Sequence, residues 1–338
     1  MRSVGILGTG SYLPEKVITN ADLEKLVDTN DEWIVSRTGI KERRMAAPEE
    51  ATSDLAVKAA EKALKYAGIS AEELDLIIIA TVTPDMSFPA TACLVQNQLG
   101  AKKAATFDLS AACTGFLYGL ATASQFIATG MYQHALVVGV DSLSRIVNWS
   151  DRNTCILFGD GAGAAVLGPV KEGEGFHSFD LGGDGSGGEL LKLPAGGSRL
   201  PASEETVAQQ LHTISMSGRE VFKFAVKALV SSTEKALDQA GLKKEDIDFL
   251  VPHQANTRII ESAIKRLGLD ENKVIINLDH YGNMSSASIP VALDEAFRLG
   301  RIHQNDTLVL CGFGGGLTWG STVLTWSLAS NGVNSLEV

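Results

Sequence analysis

The sequence predicts an α/β fold made of two similar halves, and three observations predict it. First, one segment recurs. Glu61–Ile77 reads EKALKYAGISAEELDLI and Glu234–Leu250 reads EKALDQAGLKKEDIDFL, with eight of 17 aligned positions identical. The copies lie about half of the 338-residue chain apart, which argues for a duplicated domain and against a solenoid array, whose period is about 20–50 residues. Second, each copy runs from an amphipathic helix through a glycine stop, Gly68 or Gly241, into an apolar strand. Third, strands that alternate with helices form parallel or mixed sheets covered by helices. The expectation is duplicated βαβ halves about a pseudo-twofold axis, in layered sheets and helices. The halves span residues 1–170 and 171–326, and a polar tail spans 327–338.

In chain order, the first strand is Val4–Leu7. The helix stopped by Gly68 leads to strand Leu76–Ala80, then to a helix ending at Leu99–Gly100 and a strand at Ala104–Leu109. Phe116, Leu117, Leu120, Ala123 and Ile127 keep helical spacing, with Gly130 as the stop. Strands Ala135–Val140 and Gly163–Leu167 complete the first half. The second half gives strand Phe249–Val251, a helix to Leu267–Gly268, and strands Val274–Leu278, Thr307–Cys311 and Ser321–Thr325. Gly182–Pro201 is rich in Gly, Ser and Pro and reads as a loop. The tail after Trp326 reads as a surface or disordered end. Gly159–Ala164 matches a loose GxGxxA pattern, but a strand follows it where a dinucleotide fingerprint needs a helix.

Composition excludes several classes. The formal net charge of −11 opposes nucleic-acid binding. Cys93, Cys113, Cys155 and Cys311 form no CxxC pair, and the six histidines form no HExxH pair, so neither a metal nor a resident cofactor is expected. Apolar stretches such as Leu74–Val82 are too short to span a bilayer. The N-terminus has no secretory pattern, so a cytoplasmic location is expected.

Cys113 stands out. It follows the strand ending at Leu109 and precedes a helix, with Ser110, Ala111, Ala112 and Gly115 allowing a sharp turn. A thiol at a helix N-terminus meets free N–H groups and the helix dipole, which lower its pKa and make it a nucleophile. A small buried core cysteine is the plainer alternative.

His253 follows Phe249–Pro252, so its imidazole sits at a strand's carboxyl end, where α/β sheets bind ligands. Asn283 lies in the loop His280–Asn283, roughly the counterpart of the Cys113 turn in the repeat. A hydrogen-bonded structural histidine and a turn asparagine are their plainer readings. Gly314, Gly315 and Gly316 follow a strand and offer backbone N–H groups to an oxyanion, or form a tight turn only.

Together these residues resemble the β-ketoacyl-acyl carrier protein synthases III, of the thiolase-like fold. The resemblance runs from Gly5–Gly10 to Trp319–Ser321. Its motifs are Asp31–Ile34 with Arg37–Ile40, Ala111–Cys113, His253–Asn256, Gly282–Asn283 and Phe313–Gly320. It implies an acyltransferase that begins type II fatty-acid synthesis. An acyl-CoA primer, acetyl-CoA being expected, acylates Cys113, and malonyl-acyl carrier protein then condenses with loss of carbon dioxide.

The resemblance also implies site roles. His253 and Asn283 bond the malonyl thioester oxygen, and the N–H groups of Cys113 and Gly315 form an oxyanion hole. Trp33, Arg37, Arg152 and Asn256 contact CoA. Phe88 reaches the acyl pocket of a second subunit in a homodimer. Lys223, Arg258, Lys265 and Arg266 receive the acidic carrier protein, since Arg258, Lys265 and Arg266 share one helix face. Other readings are a relative that uses another primer, a cysteine hydrolase and a non-enzymatic acyl-CoA binder. The papain-like Cys-Trp signature is absent, and a binder would not need Cys113, His253 and Asn283 together.

Overall fold

A computed structural model describes residues 1–329, and residues 330–338 of the expected tail lie outside the described residues. The first half contains β1 (Val4–Tyr12), β2 (Lys16–Thr19), α1 (Asn20–Leu23), α2 (Asp31–Thr38), β3 (Glu42–Met45), α3 (Thr52–Ala67), β4 (Leu76–Ala80), α4 (Thr91–Leu99), β5 (Ala105–Leu109), α5 (Gly115–Ala128), β6 (Ala135–Ser142) and β7 (Asp160–Pro169). The second contains β8 (Gly175–Gly183), β9 (Leu191–Lys192), α6 (Glu204–Ala208), β10 (Ser215–Met216), α7 (Gly218–Ala240), β11 (Phe249–Pro252), α8 (Thr257–Leu267), α9 (Leu278–Tyr281), α10 (Ser288–Arg298), β12 (Thr307–Gly314) and β13 (Thr318–Thr325).

Two sheets repeat one plan. The first runs β1-β7-β6-β4-β5 and the second β8-β13-β12-β11. In the first, β6 is parallel to β4 and antiparallel to β7. In the second, β12 is parallel to β11 and antiparallel to β13. Every residue of β4 and β6 is buried, as expected of strands covered on both faces. Helices α5 and α10 each touch strands of both sheets, so they form the middle layer. Helix α3 covers the first sheet, and α7 with α8 covers the second. Gly68 and Gly241 end α3 and α7 in the left-handed conformation, as their sequence position predicts.

One core crosses the halves. It joins Phe116, Leu117 and Leu120 of α5 to Ile289, Leu293 and Phe297 of α10 and to both sheets. Burying each large side chain is worth about 1.5–3 kcal/mol, so neither half keeps its full core alone. Trp326 is fully buried against Phe297, their ring centroids 5.2 Å apart. Leu328 joins the same cluster, and Tyr66 donates to the Ala329 carbonyl at 3.0 Å. The start of the expected tail is therefore packed against the body.

Two expected elements differ. The strand expected at Val274–Leu278 shrinks to one parallel bridge between Leu250 and Val274. The buried Gln254 side chain replaces the ladder: it donates to the Ile275 carbonyl at 3.1 Å and accepts from the Asn277 N–H at 3.1 Å. Leu278 then begins α9. The loop expected at Gly182–Pro201 contains a 3-10 turn, Gly185–Leu190, and β9, which pairs with β10. This pairing positions Leu191 for the cavity described below.

Candidate active site

Two matching turns form the centre of the molecule. Ala112–Thr114 makes a 3-10 turn before α5, and Ser285–Ala287 makes one before α10. Each opens on a non-glycine residue in the left-handed region: Ala112 at φ 47° and Ser285 at φ 48°. Such backbone persists only where its surroundings hold it, and it clusters at functional sites. Cys113 and Ser286 are thus matched positions. The turns touch each other, and two glycines make room for them. A Cβ on Gly139 of β6 would lie 2.2 Å from the Ser286 carbonyl oxygen, and one on Gly314 of β12 would lie 2.7 Å from the Cys113 nitrogen.

Cys113 is 7% exposed and lines a cavity of about 350 Å³. Ser285, Gly315 and Thr318 line it too, and Leu143, Ile146, Phe158, Leu191 and Ile214 give it an apolar wall. Burial pushes the Cys113 thiol up to about 12, while a hydrogen bond with the Ser285 side chain pulls the other way. This corrects the expectation of a lowered pKa. The short turn places the thiol inside packed structure, and desolvation outweighs the helix N-terminus.

His253 directly follows β11 and donates its backbone N–H to the Cys311 carbonyl at 2.8 Å. Its ring meets Phe313 edge-on, centroids 5.3 Å apart, and its Nδ1 lies 2.6 Å from Ser288 Oγ. Nε2 is buried with no hydrogen-bond partner among the described residues. Burial holds the imidazole pKa down to about 3, so the ring is neutral.

Asn283 is tied at both backbone ends: its N–H donates to Leu157 O at 2.8 Å and its carbonyl accepts from Gly159 N at 3.0 Å. Its Oδ1 accepts from the Ser285 N–H at 2.8 Å. The amide is thereby oriented, and among the described residues its Nδ2 hydrogens have no acceptor. Asn283 and Cys113 are linked through one residue, since Ser285 bonds the side chain of each.

The Asp141 carboxylate, fully buried on β6, anchors the second turn. Its Oδ2 accepts from the Ser286 N–H at 3.2 Å and the Ser286 hydroxyl at 2.9 Å. Its Oδ1 accepts from Thr81 Oγ1 at 3.0 Å, Val82 N at 2.8 Å and Thr83 Oγ1 at 3.1 Å. Burial raises its pKa, against the pull of these donors. Sequence reading missed Asp141, Ser285 and Ser288. Asp141 left a signal, a carboxylate inside the apolar strand Ala135–Ser142. The two serines left none.

Trp33, Arg37 and Arg152 cluster at the surface. The Arg37 and Arg152 guanidinium carbons lie 4.7 and 5.1 Å from the Trp33 ring centroid, and Arg152 also donates to the Asp28 carbonyl. Asn256 adjoins them, but its amide is occupied. Nδ2 donates to the Arg37 carbonyl at 2.9 Å, and Oδ1 caps α8 at the Arg258 N–H. Its observed work is joining α2 to α8. Phe88 is 85% exposed in the segment between β4 and α4. Arg258, Lys265 and Arg266 are exposed on α8, and Lys223 is exposed on α7, which packs against it. Among the described residues, no group of three or more His, Cys, Asp or Glu could hold a metal, and no helix is long and apolar enough to cross a membrane.

Comparison with known proteins gives one family. Residues 107–185 match the family model of 3-oxoacyl-[acyl-carrier-protein] synthase III, and residues 237–326 match that of its C-terminal part. The β-ketoacyl-[acyl-carrier-protein] synthase III of Desulfitobacterium hafniense is 66% identical over 97% of this chain and 99% of its own. The crystal structure of the synthase III from Thermus thermophilus superposes with a TM-score of 0.90 at 52% identity, covering 96% of this chain and 99% of that one. The priming β-ketosynthase of the R1128 polyketide pathway gives 0.90 at 36% identity, covering 96% and 97%.

Proposed function

We propose a residue-level mechanism for this chain, which belongs to the β-ketoacyl-[acyl-carrier-protein] synthase III family and so is the acyltransferase-type condensing enzyme that initiates fatty-acid synthesis. The halves 1–170 and 171–326 divide the work. The first supplies the nucleophile Cys113, and the second supplies His253 and Asn283.

The reaction has two stages. The sulfur of Cys113 attacks the carbonyl of an acyl-CoA primer, acetyl-CoA by preference. The N–H groups of Cys113 and Gly315 hold the oxyanion. The C–S bond to CoA breaks, and CoA leaves as a thiol with the proton that Cys113 gave up. Malonyl-acyl carrier protein then binds. Its thioester oxygen takes hydrogen bonds from His253 and Asn283. The carboxylate leaves as carbon dioxide, its bonding electrons forming an enolate, which attacks the Cys113 thioester. The 3-ketoacyl product departs on the carrier protein, and Cys113 recovers a proton from solvent.

One observation carries this reading. Cys113 lines a largely apolar cavity at a turn held by Ser285, which also bonds the Asn283 side chain, and among the described residues His253 Nε2 and Asn283 Nδ2 have no hydrogen-bond partner. In a papain-like hydrolase a histidine takes up the thiol proton, and the burial of His253, which disfavours its charged form, opposes that reading.

Trp33 stacks on the CoA adenine, and Arg37 and Arg152 take its phosphates. Asn256 supports them and contacts the CoA arm. In a cytoplasmic homodimer, Phe88 enters the other subunit's acyl pocket. Lys223, Arg258, Lys265 and Arg266 dock the carrier protein, so Arg258→Glu should raise the KM for malonyl-acyl carrier protein and spare that for the primer. An equal rise in both would discard the patch.

Incubation with labelled acetyl-CoA should leave a thioester on Cys113, located by peptide mass mapping and absent from Cys113→Ala. No label at Cys113 with any primer from acetyl to longer and branched chains would end the covalent mechanism. The same screen tests a second reading favoured by the apolar cavity and the polyketide relative: a preference for a primer other than acetyl.

A further inference from the structure

We infer that Ser288 is a positioning residue that sets the tautomer of His253, placing the ring proton on Nε2. Ser288 begins α10 and is fully buried, and His253 is 1% exposed. Their polar atoms lie 2.6 Å apart, within strong hydrogen-bond range.

The direction of this bond follows from the hydroxyl's neighbours. Among the described residues Ser288 Oγ has two hydrogen-bond partners, His253 Nδ1 and the Gln254 N–H at 3.3 Å. The Gln254 N–H can only donate. The hydroxyl proton therefore has one acceptor within reach among the described residues, His253 Nδ1. The opposite arrangement, with Nδ1 protonated and donating, would leave a fully buried hydroxyl proton without an acceptor, which native structures avoid. The ring is neutral and holds one proton, so that proton sits on Nε2. Nε2 is buried and unpartnered among the described residues, so it is a donor awaiting a substrate oxygen. The Nδ1–H tautomer would present a lone pair there and repel an enolate oxygen.

The duplication shows where this serine comes from. Ala112, Cys113, Thr114 and Gly115 match Ser285, Ser286, Ala287 and Ser288 in the two turns. At the Gly115 position a Cβ would lie 2.9 Å from Ala80 Cβ, so the first half has no room for a side chain. The second half uses that position to hold the histidine.

The catalytic part of this inference rests on the role of His253 proposed above, whereas the tautomer is read in the substrate-free protein and is tested separately. In 15N-histidine-labelled full-length enzyme, with the His253 signals assigned by their loss in His253→Asn, the nitrogens should show a protonated Nε2 and an unprotonated Nδ1 at pH 7–8. A protonated Nδ1 would overturn the inference, whatever any variant does. Ser288→Ala should abolish this single-tautomer signature and slow malonyl decarboxylation about 10–100-fold in kcat. KM should stay within about threefold and Cys113 acylation should be nearly unchanged, while Ser288→Thr, which keeps the hydroxyl, restores the signature. An Ala variant that keeps the Nε2–H signal would also overturn it. A correct wild-type tautomer with no loss of decarboxylation in Ser288→Ala would instead refute the role of His253 and leave the tautomer assignment standing.

Discussion

Replacing Asp141 tests how the two halves hold the site. Asp141→Ala removes the acceptor of two backbone N–H groups, Val82 and Ser286, and of the hydroxyls of Thr81, Thr83, Ser285 and Ser286. Most of the hydroxyls have other outlets. Ser286 Oγ also donates to Ala80 O at 2.7 Å, and Thr81 and Thr83 lie 3.4 Å from each other. The backbone groups have none among the described residues. A stranded buried donor costs about 1–3 kcal/mol, so two give about 2–6 kcal/mol of lost stability. Asp141→Asn keeps an oxygen for Val82 but turns an NH2 group toward Ser286, stranding one donor at about half that cost. The order wild type, Asn, Ala should appear as falling urea midpoints with unchanged slope. Acylation of Cys113 should fall in the same order, because Ser286 anchors the turn that carries Ser285. An Ala variant within 1 kcal/mol of wild type, or an Asn variant costlier than Ala, would refute this reasoning.

Three further outcomes follow from the site. With its thiol pushed up to about 12, free Cys113 should be alkylated by iodoacetamide at a rate rising about tenfold per pH unit from 6 to 9; a plateau below pH 8 would show a lowered pKa after all. Ser285→Ala should slow alkylation further, since that hydroxyl lowers the thiol pKa. His253 takes up a proton below about 6.5 when unfolded but only near 3 when folded. It therefore costs the folded state about 1.4 kcal/mol per pH unit as pH falls through that window. Stability against urea should decline less steeply from pH 6.5 to 4 in His253→Asn than in wild type, and equal slopes would contradict the buried neutral ring. Gly314→Ala puts a Cβ 2.7 Å from the Cys113 nitrogen, so acylation should drop about 100-fold through displacement of the turn; unchanged acylation would show that the turn can move freely.

Much of the architecture was legible because it follows from period and punctuation. Apolar runs such as Leu76–Ala80 must be buried, and glycines such as Gly68 and Gly241 end helices wherever they occur. The misreading at Val274–Leu278 has a specific cause. Gln254, more than 20 residues away, satisfies the backbone that a strand partner would have satisfied. Nothing local to Val274–Leu278 encodes that. In the Gly182–Pro201 segment, the composition marks the turn but not the pairing of β9 with β10, which depends on Ser215 and Met216.

By itself the sequence determined the duplicated α/β plan, the strand-end positions of Cys113 and His253, and the turn that carries Asn283. Each depends on residue type and spacing along the chain. The tertiary structure decided the electrostatics of those same residues. Cys113 reads as an activated thiol beside a helix N-terminus, yet burial between β12 and the Ser285 turn raises its pKa. His253 reads as a strand-end histidine placed to meet a ligand, yet burial keeps it neutral and Ser288 orients it. Desolvation and hydrogen-bond direction depend on every group packed around an atom, and those groups come from both halves of the chain.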